Sequence, residues 1–308
     1  MKHFKYAVII LNYMSENDAV NAANNVIECA EINNYVICIA DNASPKNQNL
    51  LRNIYLTNTF FIQLDSNRGY GQGNNHAVEY LKSFCTFEYI VIMNPDVLMR
   101  SKGLIENMIC KIEKDKNKYA GAQPLTNTFS FSCAPEIQEE IRRVVNVWGT
   151  IIYTSSIWKR ILRNRFRNIT YYEQRPYCKD LDFEVPSGAF FMLRYDIFER
   201  IGGFDKDTFL YFEEFFIGYK VKQLGMCFRF CADVLVDHYQ GKSTNARRGN
   251  MIPRHTNRNT VEAQTKYLEN CLHTNRLLIK LVKWYLTLEY EVLRIIFIIY
   301  NKIKNCAH

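Results

Sequence analysis

The chain has 308 residues, 48% hydrophobic, 14% aromatic and 23% charged. That is too apolar for a disordered chain and long enough to bury a full core. Lys and Arg number 39 and Asp and Glu 31, leaving a formal charge of +8. A positive balance points to an anionic partner: nucleic acid, a membrane surface or a phosphate-bearing substrate. The 10 cysteines are scattered without a CxxC pair, and Cys227 and Cys231 lack a second pair, so a zinc site is not expected. Reduced thiols in a cytoplasmic protein are expected instead.

In chain order, the apolar run at 6–11 is too short for a signal peptide, and Asn12 ends it. Residues 7–11, 36–40, 60–64 and 89–93 are unbroken apolar runs of strand length. They recur about every 25–30 residues, leaving room for a helix between each pair. Buried strands with helical connections imply an α/β fold with a mostly parallel sheet covered on both faces. Such sheets bind ligands at the carboxyl ends of their strands. The loops there are Asn12-Tyr13, Asp41-Asn42-Ala43-Ser44-Pro45, the stretch 65–74, and Asn94-Pro95-Asp96. All are rich in Asn, Asp and Gly. Turn residues alone explain any one of them; four converging on one sheet edge suggest a site.

Asp96 follows an apolar strand, where a carboxylate can share a hard divalent cation with substrate phosphates. Gly69, Gly71 and Gly73 fit neither a dinucleotide fingerprint nor a P-loop, since position 74 is Asn and no Lys follows. Their glycines would let the backbone approach a nucleotide closely. A helix is expected from Asn74 or Asn75 through Leu81.

The stretch 141–172 has no acidic residue but holds Arg142, Arg143, Lys159, Arg160, Arg163, Arg165 and Arg167. Ser187-Gly188-Ala189 and the turn Gly202-Gly203-Phe204-Asp205 follow. Residues 213–224 read as a helix with Glu213 and Glu214 in its first turn and Gly225 as its cap. A second acid-free stretch, 238–260, holds Lys242, Arg247, Arg248, Arg254 and Arg258. The end, from about residue 276 to 304, reads as an amphipathic basic helix. It suits either an anionic membrane surface or packing against the protein.

These motifs together resemble family 2 glycosyltransferases. The resemblance is carried by Asn12-Tyr13, Asp41-Asn42-Ala43-Ser44, Asn67-x-Gly69-Tyr70-Gly71-x-Gly73-Asn74, Asn94-Pro95-Asp96, Ser187-Gly188-Ala189, Gly202-Gly203-Phe204-Asp205, the segment 209–214, and His238-x-x-x-x-Ser243. They stand in family order and span about residues 6 to 243. The nearest branch is similar to the rhamnosyltransferase-like enzymes of bacterial surface polysaccharides.

The resemblance implies a GT-A type Rossmann-like sheet flanked by helices, with a C-terminal helical extension. It divides the chain into a catalytic domain at 1–245, with a nucleotide-sugar half at 1–98 and an acceptor half at 99–245, and an extension at 246–308. It implies an inverting transfer of rhamnose or another hexose from a nucleoside diphosphate sugar, dTDP- or UDP-linked, with Mg²⁺ or Mn²⁺. The acceptor would be a glycan or lipid-linked molecule at the inner face of the cytoplasmic membrane, as in capsule or O-antigen synthesis. Asn12, Tyr13, Asp41, Asn42, Ser44, Asn67, Gly69, Tyr70, Asn74, Asn94, Asp96 and Gly188 would form the donor site, with Asp41 on the nucleoside. Asp96 and His238 would bind the metal. Glu214 matches the catalytic base, with Glu213 as the alternative.

Two departures stand out: Glu replaces the usual Asp at 214, and Phe216 stands where a further Asp often does. A nucleotidyltransferase would need a basic glycine-rich loop after the first strand, which Asn12-Tyr13-Met14-Ser15 is not. An inactive glycan-binding relative remains the non-enzyme alternative. No nucleic-acid motif accompanies the basic stretches, and the sequence leaves the oligomeric state open.

Overall fold

The computed structural model describes residues 1–45, 49–129, 137–138, 141–162, 169–170, 179–239 and 252–306. Arg163, Arg165, Arg167, Lys242, Ser243, Arg247 and Arg248 lie outside the described residues.

The four apolar runs form β1 (Lys2–Asn12), β2 (Tyr35–Asp41), β3 (Thr59–Gln63) and β4 (Cys85–Met93). They pair in parallel in the order β3-β2-β1-β4. The connecting helices are α1 (Glu16–Cys29), α2 (Asn49–Arg52) and α3 (Gly69–Lys82). Beyond Asp96 come β5 (Val97–Met99), α4 (Leu104–Glu113), β6 (Tyr119–Thr128) and β7 (Ile137–Gln138). Two short helices follow, α5 (Val147–Thr154) and α6 (Ser156–Leu162). Then come β8 (Leu181–Phe183), β9 (Phe190–Arg194), α7 (Tyr195–Arg200), α8 (Glu213–Gln223) and β10 (Cys227–His238). Two helices close the chain, α9 (Arg254–Asn270) and α10 (Arg276–Cys306).

The strands join one sheet in the order β3-β2-β1-β4-β9-β6-β10-β5, with β7 on β6 and β8 on β10. The second half is mixed: β9 runs antiparallel between β4 and β6, whereas β6 and β10 are parallel.

Strand alternation builds a core on each face. Tyr6, Val8 and Ile10 point towards α1 and α4; Ala7 and Ile9 point towards α3, α7 and α8. A third cluster is aromatic and joins Phe212, Phe215 and Phe216 to Tyr267 of α9. A fourth ties α5, α9 and α10 together through Ile151, Leu268, Val282 and Leu286. At burial values of roughly 1.5–3 kcal/mol per large apolar side chain, this packing fixes α9 and α10 to the body. Among the described residues, no helix is long and apolar enough to cross a membrane.

Candidate active site

The loops at the carboxyl ends of β1, β2 and β3 are laced to one another. Asn12 Nδ2 donates to Asp41 Oδ1 at 2.7 Å, and the Ser44 hydroxyl donates to the same oxygen at 2.6 Å. Asn42 Nδ2 donates to Asn67 Oδ1 at 3.0 Å and to the Gly69 carbonyl at 3.1 Å. Met14 and Ala43 hold positive φ in these loops, at 62° and 56°. Non-glycine residues rarely accept this, and such strain clusters at functional sites. Asp41 is fully buried, and its carboxylate also accepts the Ser44 N–H. In this conformation Asp41 shapes the loop from beneath, while Tyr13 stands exposed at its edge.

The glycine loop differs from expectation. α3 starts at Gly69, not at Asn74 or Asn75. The glycines approach protein rather than open space. Gly69 has φ +80°, and a Cβ there would lie 1.9 Å from the Phe209 carbonyl oxygen. A Cβ at Gly73 would lie 2.7 Å from Leu11. This close fit lets the Tyr70 N–H donate to the Phe209 carbonyl at 2.9 Å. Asn74 is buried within α3 and donates to the Tyr70 carbonyl, so it supports the loop from inside.

Asp96 and His238 come together because β5 pairs antiparallel with β10, with Val97 opposite His238. The Tyr239 N–H then donates to the Asp96 carbonyl at 2.8 Å. His238 Nε2 and Asp96 Oδ1 lie 3.4 Å apart, with side chains only 7% and 10% exposed. Metal bonds of about 2.1 Å at right angles put two ligand atoms roughly 3 Å apart, so the pair fits one shared cation. Among the described residues no three His, Cys, Asp or Glu gather around a common point. The rest of any metal shell would come from substrate oxygens and water.

The loop before β9 links this pair to the glutamates. The Asn94 N–H donates to the Ala189 carbonyl at 2.8 Å. The neighbouring Gly188 carbonyl accepts from the Tyr70 hydroxyl at 2.5 Å. A Cβ on Gly188 would meet Glu214 Oε1 at 2.2 Å. The buried Gln123 side chain accepts the Ser187 N–H at 2.7 Å and fixes the same loop.

Glu213 and Glu214 begin α8 as expected, and Gly225 with φ +71° follows it. Their environments differ sharply. Glu213 is 2% exposed, and its Oε1 has no hydrogen-bond partner among the described residues. Burial, then the adjacent Glu214 charge, push Glu213 up to about 8. Glu213 is therefore largely protonated at neutral pH. Glu214 is 18% exposed and faces Arg142 at 3.9 Å. The buried Tyr70 phenol is raised well above its ordinary value, first by desolvation and then by Glu214 and Glu213.

The structure gives three of these positions roles that the sequence did not. Arg142 is not part of a solvated basic face: it turns inward, donates to the Pro186 carbonyl and stacks 5.1 Å from the Phe215 ring. Only its lying in a basic run marked it. Tyr211 and Phe212 hold φ of 78° and 66° immediately before Glu213, and no residue type announces that. Phe216 is a buried core residue 5.4 Å from the Tyr267 ring, so the departure at this position serves the packing of α9.

Residues 7–202, more than half of the chain, match the family model for glycosyl transferase family 2. The low-salt glycan biosynthesis hexosyltransferase Agl10 of Haloferax volcanii is 24% identical over 229 residues, covering 72% of this chain and 64% of that protein. The chain thus spans less than two thirds of that relative. The solved GalNAc-T7 with UDP, GalNAc and Mn²⁺ superposes with a TM-score of 0.61 at 13% identity, over 86% of this chain and 48% of that one. The S. aureus TarS structure with UDP-GlcNAc gives a TM-score of 0.51 at 14% identity, over 87% and 67%. These two likenesses establish the shared GT-A type fold. On the family match, the chain belongs to glycosyl transferase family 2.

Proposed function

We propose that the chain transfers a hexose, rhamnose among the candidates, from a nucleoside diphosphate sugar to a hydroxyl of a glycan or lipid-linked acceptor, with inversion at the anomeric carbon. The reading is carried by one connected arrangement. The Asp96–His238 pair joins the Ser187-Gly188-Ala189 loop through Asn94, and Glu214 meets that loop at Gly188. On this reading the donor's phosphates and the acceptor's base would meet at one short loop.

Asp96 and His238 would hold a divalent cation. The imidazole favours Mn²⁺ over Mg²⁺, which prefers an all-oxygen shell. Bound there, the cation would supply Lewis-acid stabilisation of the departing diphosphate. Glu214 takes the proton of the acceptor hydroxyl as its oxygen attacks the anomeric carbon. The new carbon–oxygen bond forms on the face opposite the breaking bond to diphosphate, which inverts the centre. Arg142 and Gly188 orient Glu214. Burial and the neighbouring Glu214 favour the neutral form of Glu213.

The named hexosyltransferase relative supports a six-carbon sugar and a glycan product. Extension of a bacterial surface polysaccharide at the inner membrane face fits this chemistry. The test is transfer from a panel of UDP-, dTDP- and GDP-sugars with Mn²⁺, Mg²⁺ or chelator. Activity that depends on the cation and is lost in Asp96→Ala is expected. Full activity in chelator, or in Asp96→Ala, would remove the metal from the account.

A further inference from the structure

All three tryptophans of this chain are exposed. Trp148 on α5 is 71% exposed, Trp158 on α6 is 40%, and Trp284 on α10 is 65%. Exposed tryptophan is uncommon, and its apolar ring with one polar N–H suits a boundary between water and an apolar phase.

The helix α10 carries two apolar stripes. One, through Val282 and Leu286, is buried against α5 and α9. The other runs through Leu277, Leu281, Trp284, Leu288, Val292 and Ile295, continuing to Ile299, and every member is exposed. Each step is three or four residues, so they line one face for most of the helix.

The helix is held firmly on its other side. The buried Glu289 carboxylate accepts from the Ser155 hydroxyl at 2.6 Å and from the Ile157 N–H at 3.0 Å, which ties α6 to α10. Arg254 of α9 makes a two-pronged bond to Glu291 at 2.9 and 2.8 Å. The Trp158 backbone N–H donates to the Ser155 hydroxyl oxygen at 3.0 Å, and that oxygen lies 3.3 Å from the Tyr285 hydroxyl, next in sequence to Trp284. No residue of α6 is buried, and it adds exposed Ile157 and Ile161.

The charge around the stripe has one sign. Arg276, Lys280 and Lys283 are exposed beside it. Both acids of α10 are already bonded, Glu289 to α6 and Glu291 to Arg254 and Arg294. A second copy of the chain would set this basic flank against its own image, which disfavours association. An anionic bilayer offers both an apolar interior and a negative surface.

We infer that the exposed face of α10, with the adjoining α6 and Trp148, is a docking surface for an anionic phospholipid bilayer, on which α10 lies without crossing. The inference stands on this helical layer alone and does not depend on the glycosyl-transfer reading. It does place the layer close to the reaction, because Arg142, beside Glu214, leads into α5 within five residues.

The test is co-sedimentation of the full chain with vesicles of phosphatidylcholine alone or mixed with phosphatidylglycerol. Sedimentation with the mixed vesicles only, weakened by salt, is expected. The surface variant Trp284→Glu/Leu288→Glu should lower the bound fraction by at least about tenfold with unchanged circular dichroism. Lys280→Glu/Lys283→Glu, which leaves the stripe intact, should weaken binding in the same direction. A chain that stays in the supernatant with mixed vesicles, or wild-type binding by both variants, overturns the inference. So does a lipid-free dimer that Trp284→Glu/Leu288→Glu dissolves while vesicles leave the wild type unbound; that result assigns the face to a second copy.

Discussion

Gly188 and Glu214 share a space that no larger residue at 188 would leave open: a Cβ there would sit 2.2 Å from Glu214 Oε1. The contact falls on the movable end of a side chain, so it bears on geometry more than on folding. Gly188→Ala should fold with a stability loss of about 1 kcal/mol while displacing the carboxylate. Transfer should fall at least about a hundredfold, as mispositioned catalytic groups do. Turnover measured beside thermal unfolding checks both halves; wild-type turnover would separate Gly188 from Glu214.

Glu213 gives stability a pH signature. Its folded value is about 8 against an ordinary 4.5. The native state therefore binds a proton that the unfolded chain has released between these values. The sign follows: the contribution is full below about pH 4.5 and is lost as pH rises towards 8. Glu213→Gln keeps the neutral form at every pH. Urea unfolding from pH 5 to 9 should show the wild type losing up to a few kcal/mol relative to this variant. Parallel pH profiles for the two proteins would contradict a buried, protonated Glu213.

The glycine loop predicts a stability effect instead. Gly69 combines a φ of +80° with a would-be Cβ 1.9 Å from a backbone oxygen at Phe209. Neither the backbone nor that oxygen can yield cheaply. Gly69→Ala should cost about 2–4 kcal/mol, read as a fall in the urea midpoint. A midpoint within error of wild type would mean the loop and segment 206–212 are not packed this closely.

Tyr70→Phe removes the hydroxyl that holds the Gly188 carbonyl at 2.5 Å. A loss of roughly 1–2 kcal/mol is expected, since the Gly188 carbonyl loses its phenolic donor. Turnover should fall with it, because the same loop carries Gly188. Loss of stability without loss of turnover would confine Tyr70 to a structural role.

The first half of the sheet was legible because parallel strands covered on both faces read as unbroken apolar runs, as at 7–11 and 36–40. Asn12, Asp41, Asn67 and Asp96 were legible as polar residues ending those runs. The second half was not, because β9 enters between β4 and β6 antiparallel, through pairings such as Val91 with Met192 that local pattern does not encode. The start of α3 was misplaced because three glycines argue against a helix, while the close approach of Phe209 and Leu11 demands them. Arg142 looked like any other base of its run until the loop between β8 and β9 and the start of α8 set Pro186 and Glu214 beside it. The separation of Glu213 from Glu214 came only from burial: adjacent residues on one helix, one enclosed near Gly71 of α3 and one partly exposed beside Arg142.

The most direct test of the whole account is the turnover of Glu214→Gln in transfer from its nucleotide sugar with Mn²⁺. The amide keeps the shape and cannot accept the acceptor's proton. The account predicts a loss of about 10²–10⁴-fold in turnover, with donor affinity and unfolding midpoint unchanged. Turnover within about threefold of wild type, a change too small for loss of a general base, would contradict Glu214 as the base.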